Sequence, residues 1–190
     1  MTTPAADYDA AVTALRSQKL PAYVEYTVNA NASGIAGYHG VPERVVVDVV
    51  HKKVISTTSR DGDEYGDSPV LKHLFDPSCF TATTERMMNW NGRAVVAIGV
   101  HGKGNSCDDL SLHTVFVDPS TNALLGADGS ETDEGMTVDF SVQYGTFQGY
   151  VMPTVLSAHA HGHGWLFWAR ERAQVRYSDY SFTNVRRQSE

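Results

Sequence analysis

Three histidines, His159, His161 and His163, recur at alternate positions in the run SAHAHGHG. On an extended strand they would share one face, with neighbours about 7 Å apart, and imidazoles so placed can bind zinc or copper. Gly162 and Gly164 favour a turn instead, and no Asp, Glu or Cys adjoins the run. The expectation is a polar hairpin tip that holds no metal. A second candidate is Cys107-Asp108-Asp109, with His101 and His113 nearby in sequence. Carboxylates beside a cysteine disfavour the thiolate, which is the nucleophilic form, so no thiol active site is expected. The string GVHGKGNS contains G-x-G without the helix that a phosphate cradle needs, and the chain has no G-x-S-x-G, Walker loop or H-E-x-x-H. These residues point to a protein that is not an enzyme and takes no cofactor.

The elements that would position these residues are mostly strands. From Tyr150 the chain reads as a short extended run, the histidine-rich turn, then one long strand. Along that strand Trp165, Phe167, Ala169, Ala173, Val175 and Tyr177 share one face, against Leu166, Trp168, Arg170, Arg172, Gln174 and Arg176. Period two marks a strand with one buried face. Glu171 is the one charge on the apolar side. Upstream, Asp7–Lys19 places Tyr8, Ala11, Val12 and Leu15 at helical spacing, and Pro21 ends it. From Ala22 the period becomes two, with Val24, Tyr26 and Val28 on one face. A turn at Ser33–Gly40 leads to Glu43–Val50, with Val45, Val47 and Val49 alternating, and then to a more polar strand, Lys52–Ser59.

Residues 60–89 break this pattern. Ser68-Pro69 and Asp76-Pro77-Ser78 are helix-opening signals, so residues 68–90 are expected to form a short helical insertion. Its Phe75, Phe80, Met87, Met88 and Trp90 would either pack a core or cover a cavity as a lid, since methionine adapts to variable shapes. Strands resume at Gly92–His101 and Leu110–Asp118. A turn at Asp118–Asn122 and the short strand ALLG follow. Gly135–Tyr144 alternates most cleanly, with Met136, Val138, Phe140, Val142 and Tyr144 against Thr137, Asp139, Ser141 and Gln143. A one-residue slip would turn such an apolar set into water, so the inward sets are expected to share one interior. Eight or nine antiparallel strands with one N-terminal helix and one insertion fit a single highly curved antiparallel sheet. The fold class is mainly β (α+β), an open half-barrel forming one domain over residues 1–190.

Composition narrows the functions this fold can serve. At 190 residues, 42% hydrophobic and 19% charged, the chain can bury a sizeable core and is not disordered. A net charge of -7 leaves no basic excess to neutralise phosphates, which argues against nucleic acid as a partner. Acidic residues gather only at 61–67 and 128–134, expected to be solvated turns. No run is long and apolar enough to cross a membrane as a helix. The opening MTTPAADYDA lacks the regions of a signal peptide, which leaves a cytoplasmic protein or the mature form of an exported one. Cys79 and Cys107 are compatible with one disulfide or two free thiols.

Four stretches carry a resemblance: a helix running into LPAYVEYTVNA, the strand–turn–strand unit LSLHTVFVDPSTNALLG, the strand pair entered through GYVMPTVL, and a last strand closing on VRYSDYSF. Together they span most of the chain and resemble the LolA/LolB superfamily of bacterial lipoprotein carriers, half-open β-barrels with helical lids. The resemblance implies non-catalytic binding of an apolar ligand between the concave sheet face and the helices: a lipid, an acyl chain or a lipoprotein's lipid anchor. It implies a lipid or lipidated protein as partner, with a membrane or protein that exchanges it, and a periplasmic or otherwise extracytoplasmic location. With the two-faced strands, it places Tyr26, Val28, Val47, Met136, Val138, Phe140, Val142, Trp165, Phe167, Glu171 and Val175 on the cavity wall, with Phe80, Met87, Met88 and Trp90 as its cover. The other reading is a structural or interaction protein on the same scaffold, its concavity filled by its own side chains.

Overall fold

The computed structural model describes residues 3–33, 38–57, 75, 78–103, 110–133, 135–163 and 168–184. The helix α1 (Pro4–Ser17) starts earlier than helical spacing alone suggests, because Thr3-Pro4 is itself a start signal. The Thr3 hydroxyl accepts from the Ala6 amide at 3.3 Å, and Pro4 sits in the first turn, where no amide donor is needed. Asp7 in the first turn and Arg16 in the last both suit the helix dipole. The buried side chains Tyr8, Ala11, Val12 and Leu15 recur at i, i+3, i+4 and i+7, one stripe of the helix.

The strands are β1 (Tyr23–Ser33), β2 (Tyr38–His39), β3 (Glu43–Asp48), β4 (Lys53–Thr57), β5 (Phe80–Trp90), β6 (Arg93–Gly102), β7 (Leu110–Val117), β8 (Leu124–Asp133), β9 (Met136–Phe147), β10 (Tyr150–His163) and β11 (Trp168–Thr183). All eleven lie in one antiparallel sheet, ordered β4-β3-β1-β11-β10-β9-β8-β7-β6-β5, with β2 paired to β1 off that path. The two ends, β4 and β5, do not pair, so the sheet stays open. Its curvature follows from the core. Val45 and Val47 of β3 share one buried cluster with Val96 and Ile98 of β6 and with Tyr8, Val12 and Leu15 of α1. In a flat sheet β3 and β6, seven pairings apart, would stand roughly 34 Å from each other. Register shifts at Glu25/Thr27, Val46/Val47, Ala82/Thr84, Leu112/Thr114, Phe116/Val117 and Pro153/Val155 supply the bends.

The expected helical insertion is overturned where it can be seen. Phe80–Trp90 is β5, an edge strand paired with β6 along its length. Its Thr-rich start favours a pleated chain, and a two-residue turn closes the hairpin. Asn91 (φ 52°) and Gly92 (φ 80°) both adopt positive φ, the conformation of a type I′ turn. Gln148 and Gly149 close the β9–β10 hairpin the same way. The proposed helix openers Ser68-Pro69 and Asp76-Pro77 lie outside the described residues. The acidic stretch from Asp128 is strand β8 and not a solvated turn, and the strand count exceeds the eight or nine expected. Tyr38–His39, expected within a turn, is strand β2. Cys79 is disulfide-bonded, and Cys107, the chain's other cysteine, lies outside the described residues.

Three side-chain devices fix the core's edges. Gln18, just past α1, both donates to the Val151 carbonyl (3.1 Å) and accepts from its amide (2.6 Å), tying the helix end to β10. Phe75 is fully buried with its ring 5.9 Å from that of Tyr144, and its carbonyl accepts from Arg16 Nη1 at 2.5 Å. At the β7–β8 turn, Asp118 accepts from the Ser120 hydroxyl (2.5 Å) and the Ser120 and Thr121 amides, and pairs with Arg93 at 2.5 Å. These donors, led by Ser120, hold the Asp118 carboxyl well below the usual range.

Three outcomes follow. Phe75→Ala should lower stability by about 3–5 kcal/mol, the cost of emptying a large buried site. Met87→Ala should stay within about 0.5 kcal/mol, because Met87 is 62% exposed on an edge strand; urea unfolding measures both. Asp118→Asn should destabilise at neutral pH. A carboxyl whose folded pKa is depressed stabilises above its unfolded pKa of about 4, and that contribution is lost as pH falls through the folded value. The gap between variant and parent midpoints should therefore shrink steadily below about pH 4.

Candidate functional site

Residues paired across an antiparallel sheet point to the same face, so the register reveals what the concave side presents. One row runs Val115, Ala127, Val142, Leu156, Val175, Ala30. The next runs Leu112, Gly129, Phe140, Ala158, Ala173, Ala32. A third runs Glu131, Val138, Ala160, Glu171. The alternation expected along β9 is present: Val142 is fully buried, Met136, Val138 and Phe140 are half-buried on the same face, and Asp139 is exposed on the other.

The concave face divides into two halves. Under α1 and Phe75 it is packed solid by Val24, Tyr26, Val28, Val45, Val47, Val142, Tyr144, Met152 and Tyr180. Beyond that core the row of small residues leaves room. An open depression of about 540 Å³ spans β1, β11, β10 and β9, centred on Ala32, Ala173, Ala158 and Phe140. Its lining is mainly apolar. The flanking rows, Ser33–Arg172–His159–Asp139 and Asn31–Gln174–Ser157–Ser141, carry polar side chains to the opposite face. Members of these rows, among them Asn31, Asp139, His159, Arg172 and Gln174, also line the depression, around the apolar row Ala32, Ala173, Ala158 and Phe140.

Of the expected cavity residues, Phe140 alone lines this depression. Tyr26, Val28, Val47 and Phe80 belong to the packed core, as does Val142. Met136, Val138, Glu171 and Val175 are half-buried around the open half without lining the depression. Trp165 and Phe167 lie outside the described residues. Met88 and Trp90 correct the lid idea: they sit on the convex face, packed with Val95, Ala97, Phe116 and Leu125, the Trp90 ring stacked 4.3 Å from Phe116. Phe80, Met88 and Trp90 would share a face by simple alternation, and the register shift between Ala82 and Thr84 sends Phe80 to the core and the other two to the opposite face. The residues missed by sequence reasoning are Ala32, Ala158 and Ala173. Their signal is a coincidence of small residues across four strands, visible only once register is known.

The histidines also change place. The run 159–163 continues β10 and forms no turn, because Ala158 and Ala160 face the concavity while every residue pairs with β9 or β11. His159 and His161 stand on the convex face with rings 5.4 Å apart, and His161 Nε2 lies 2.9 Å from Asp139 Oδ2, a carboxylate brought from β9. Among the described residues no three His, Cys, Asp or Glu side chains gather as metal ligands.

No protein-family model and no curated protein matches the chain. Its fold does have solved counterparts. One is a domain of a candidate outer membrane lipoprotein-sorting protein from Vibrio parahaemolyticus, with a TM-score of 0.50 and 11% identity over 96% of this chain and 93% of that one. Another is a DUF1329 family protein from Desulfovibrio piger, with a TM-score of 0.50 and 11% identity over 95% and 94%. At that identity the likeness shows the fold alone, a curved open antiparallel sheet.

Between the packed half and the open half stands a group of tyrosines. Tyr26 lies 6.0 Å from Tyr177 and 5.5 Å from Tyr180, and the Tyr180 hydroxyl donates to the Pro153 carbonyl at 2.7 Å. Burial pushes the Tyr177 phenol up to about 12 and those of Tyr26, Tyr144 and Tyr180 further. Raised folded values stabilise fully below the unfolded pKa of about 10, and the contribution is lost as pH rises through the folded values. Alkaline titration at 295 nm should then show a late step that coincides with loss of far-ultraviolet dichroism. A smooth titration near pH 10 with the dichroism intact would contradict this burial.

Proposed function

We propose that this chain, built on the fold of the lipoprotein-carrier superfamily, binds or carries an apolar ligand without catalysis. The ligand class is a lipid, an acyl chain or a lipoprotein's lipid anchor, held on the open half of the concave face, with residues 1–190 acting as one domain. The observation that carries this reading is the apolar depression over Ala32, Phe140, Ala158 and Ala173. Apolar surface left beside a packed core gains roughly 25 cal/mol per Å² when a ligand covers it, and the volume lies in the usual range of about 300–1,000 Å³ for small-molecule sites. Val138, Leu156, Val175 and Tyr177, all half-buried, extend the apolar surface around it.

The partners of such a protein are the lipid or lipidated protein it holds and the membrane or protein that exchanges it. An extracytoplasmic location, the periplasm in the resembling family, is supported by the disulfide at Cys79, since such bonds persist in oxidising compartments. The scaffold reading has one observation in its favour: the half of the concavity under α1 is already filled.

Native mass spectrometry of freshly purified protein should show a co-purifying lipid. A fluorescent fatty acid should bind the emptied protein, and Ala173→Trp should abolish that binding. Because Ala173 is exposed, the substitution should change stability by no more than about 0.5 kcal/mol. Val142→Trp, by contrast, enters the packed half and should cost about 1–3 kcal/mol. A protein that carries no lipid and takes up no probe is a scaffold.

A further inference from the structure

We infer that Phe140 sets the size of this site, and that the site holds one alkyl chain at a time; this rests on the apolar-ligand reading and narrows it. The placement of the ring depends on Gly129, its partner on β8. A Cβ added at Gly129 would lie 2.4 Å from the Ser111 carbonyl oxygen, 2.6 Å from Phe140 Cζ and 3.0 Å from Cε1, so the ring shares with that carbonyl the space a side chain at 129 would take. Leaning toward β8, Phe140 leaves the floor over Ala158, Ala173 and Ala32 clear and closes the depression on the β8 side. On the α1 side the row Val142, Leu156, Val175 closes it with larger side chains.

The room so bounded is about 540 Å³. At roughly 30 Å³ per methylene, close to the share of one molecule in liquid water, that accommodates a single long chain and not two side by side. The ligand class is therefore a single-chain amphiphile, a fatty acid or a lysolipid, in preference to a two-chain lipid or a multiply acylated anchor. Removing the Phe140 ring would widen the depression toward β8 by the volume the ring now fills and so relax its selection for a single chain.

The experiment titrates the delipidated full chain with a fluorescent fatty acid and with a two-chain phospholipid bearing the same fluorophore, using wild type, Phe140→Ala and the milder Phe140→Leu. Wild type should prefer the single chain by about tenfold or more, within what a hydrophobic pocket achieves on size. The preference should fall in Phe140→Leu and fall further in Phe140→Ala, with melting curves confirming folded protein. Single-chain binding that persists with no preference in wild type, or with a preference both variants leave unchanged, overturns the role of Phe140 while the apolar-ligand reading survives. Binding of neither probe by wild type removes that reading and this inference together.

Discussion

The stripe formed by Tyr8, Ala11, Val12 and Leu15 has to be buried, and the whole architecture turns on where that happens. A single helix cannot bury it alone, and one sheet face cannot bury itself. Each solves the other's problem when the sheet curls around the helix. At about 1.5–3 kcal/mol per fully buried large apolar side chain, the core that the helix, seated against β5 and β8, shares with β3, β6 and β7 offsets the bulges that bend the strands. The helix covers only part of the sheet, however. The strands β9, β10 and β11 run 12, 14 and 16 residues, far longer than the five or six usual in strands. What projects beyond the helix is concave surface without cover from any described element.

Side-chain size follows that division. Where α1 and Phe75 lie, the concave rows carry Tyr26, Tyr144, Met152 and Tyr180, which fill the space and touch one another. Where nothing among the described residues lies, the row thins to Ala32, Ala173 and Ala158. Tyr180, whose hydroxyl donates to the Pro153 carbonyl, is flanked by Phe147, tilted against its ring, and by Phe182, stacked parallel to it. Among the described residues the concave face is thus neither wholly filled nor wholly open.

The convex face obeys different rules on its two sides. Over β9, β10 and β11 it is polar, with Asp139, His161, Gln174 and Arg176 joined by side-chain hydrogen bonds. Over β5 to β8 it carries a second small apolar cluster built on Trp90 and Phe116. Gly126 makes that cluster possible: a Cβ there would meet the Trp90 ring at 2.3 Å. A strand with apolar residues on both faces, as in Val95–Ile98 of β6, is therefore buried from both sides, which its unbroken hydrophobic run already implied.

Taken alone, the sequence determined the local periods. Alternation along Met136–Tyr144 and Val24–Val28 named the inward residues, the spacing of Tyr8 and Leu15 named the helix stripe, and Asp118–Asn122 named its turn, because each depends on interactions within a few residues. The curved open sheet followed from counting such elements. The strand at Phe80–Trp90 was also legible, through Asn91-Gly92, but the preceding Ser68-Pro69 and Asp76-Pro77-Ser78 signals suggested helix more strongly. The site was different. Whether Met88 faces inward, whether Asp139 meets His161, and whether Ala32, Ala158 and Ala173 line up are questions of register between strands far apart in sequence. A sequence records what each strand places on its two faces; only pairing decides which small residues fall side by side, and the room they leave is a property of that alignment.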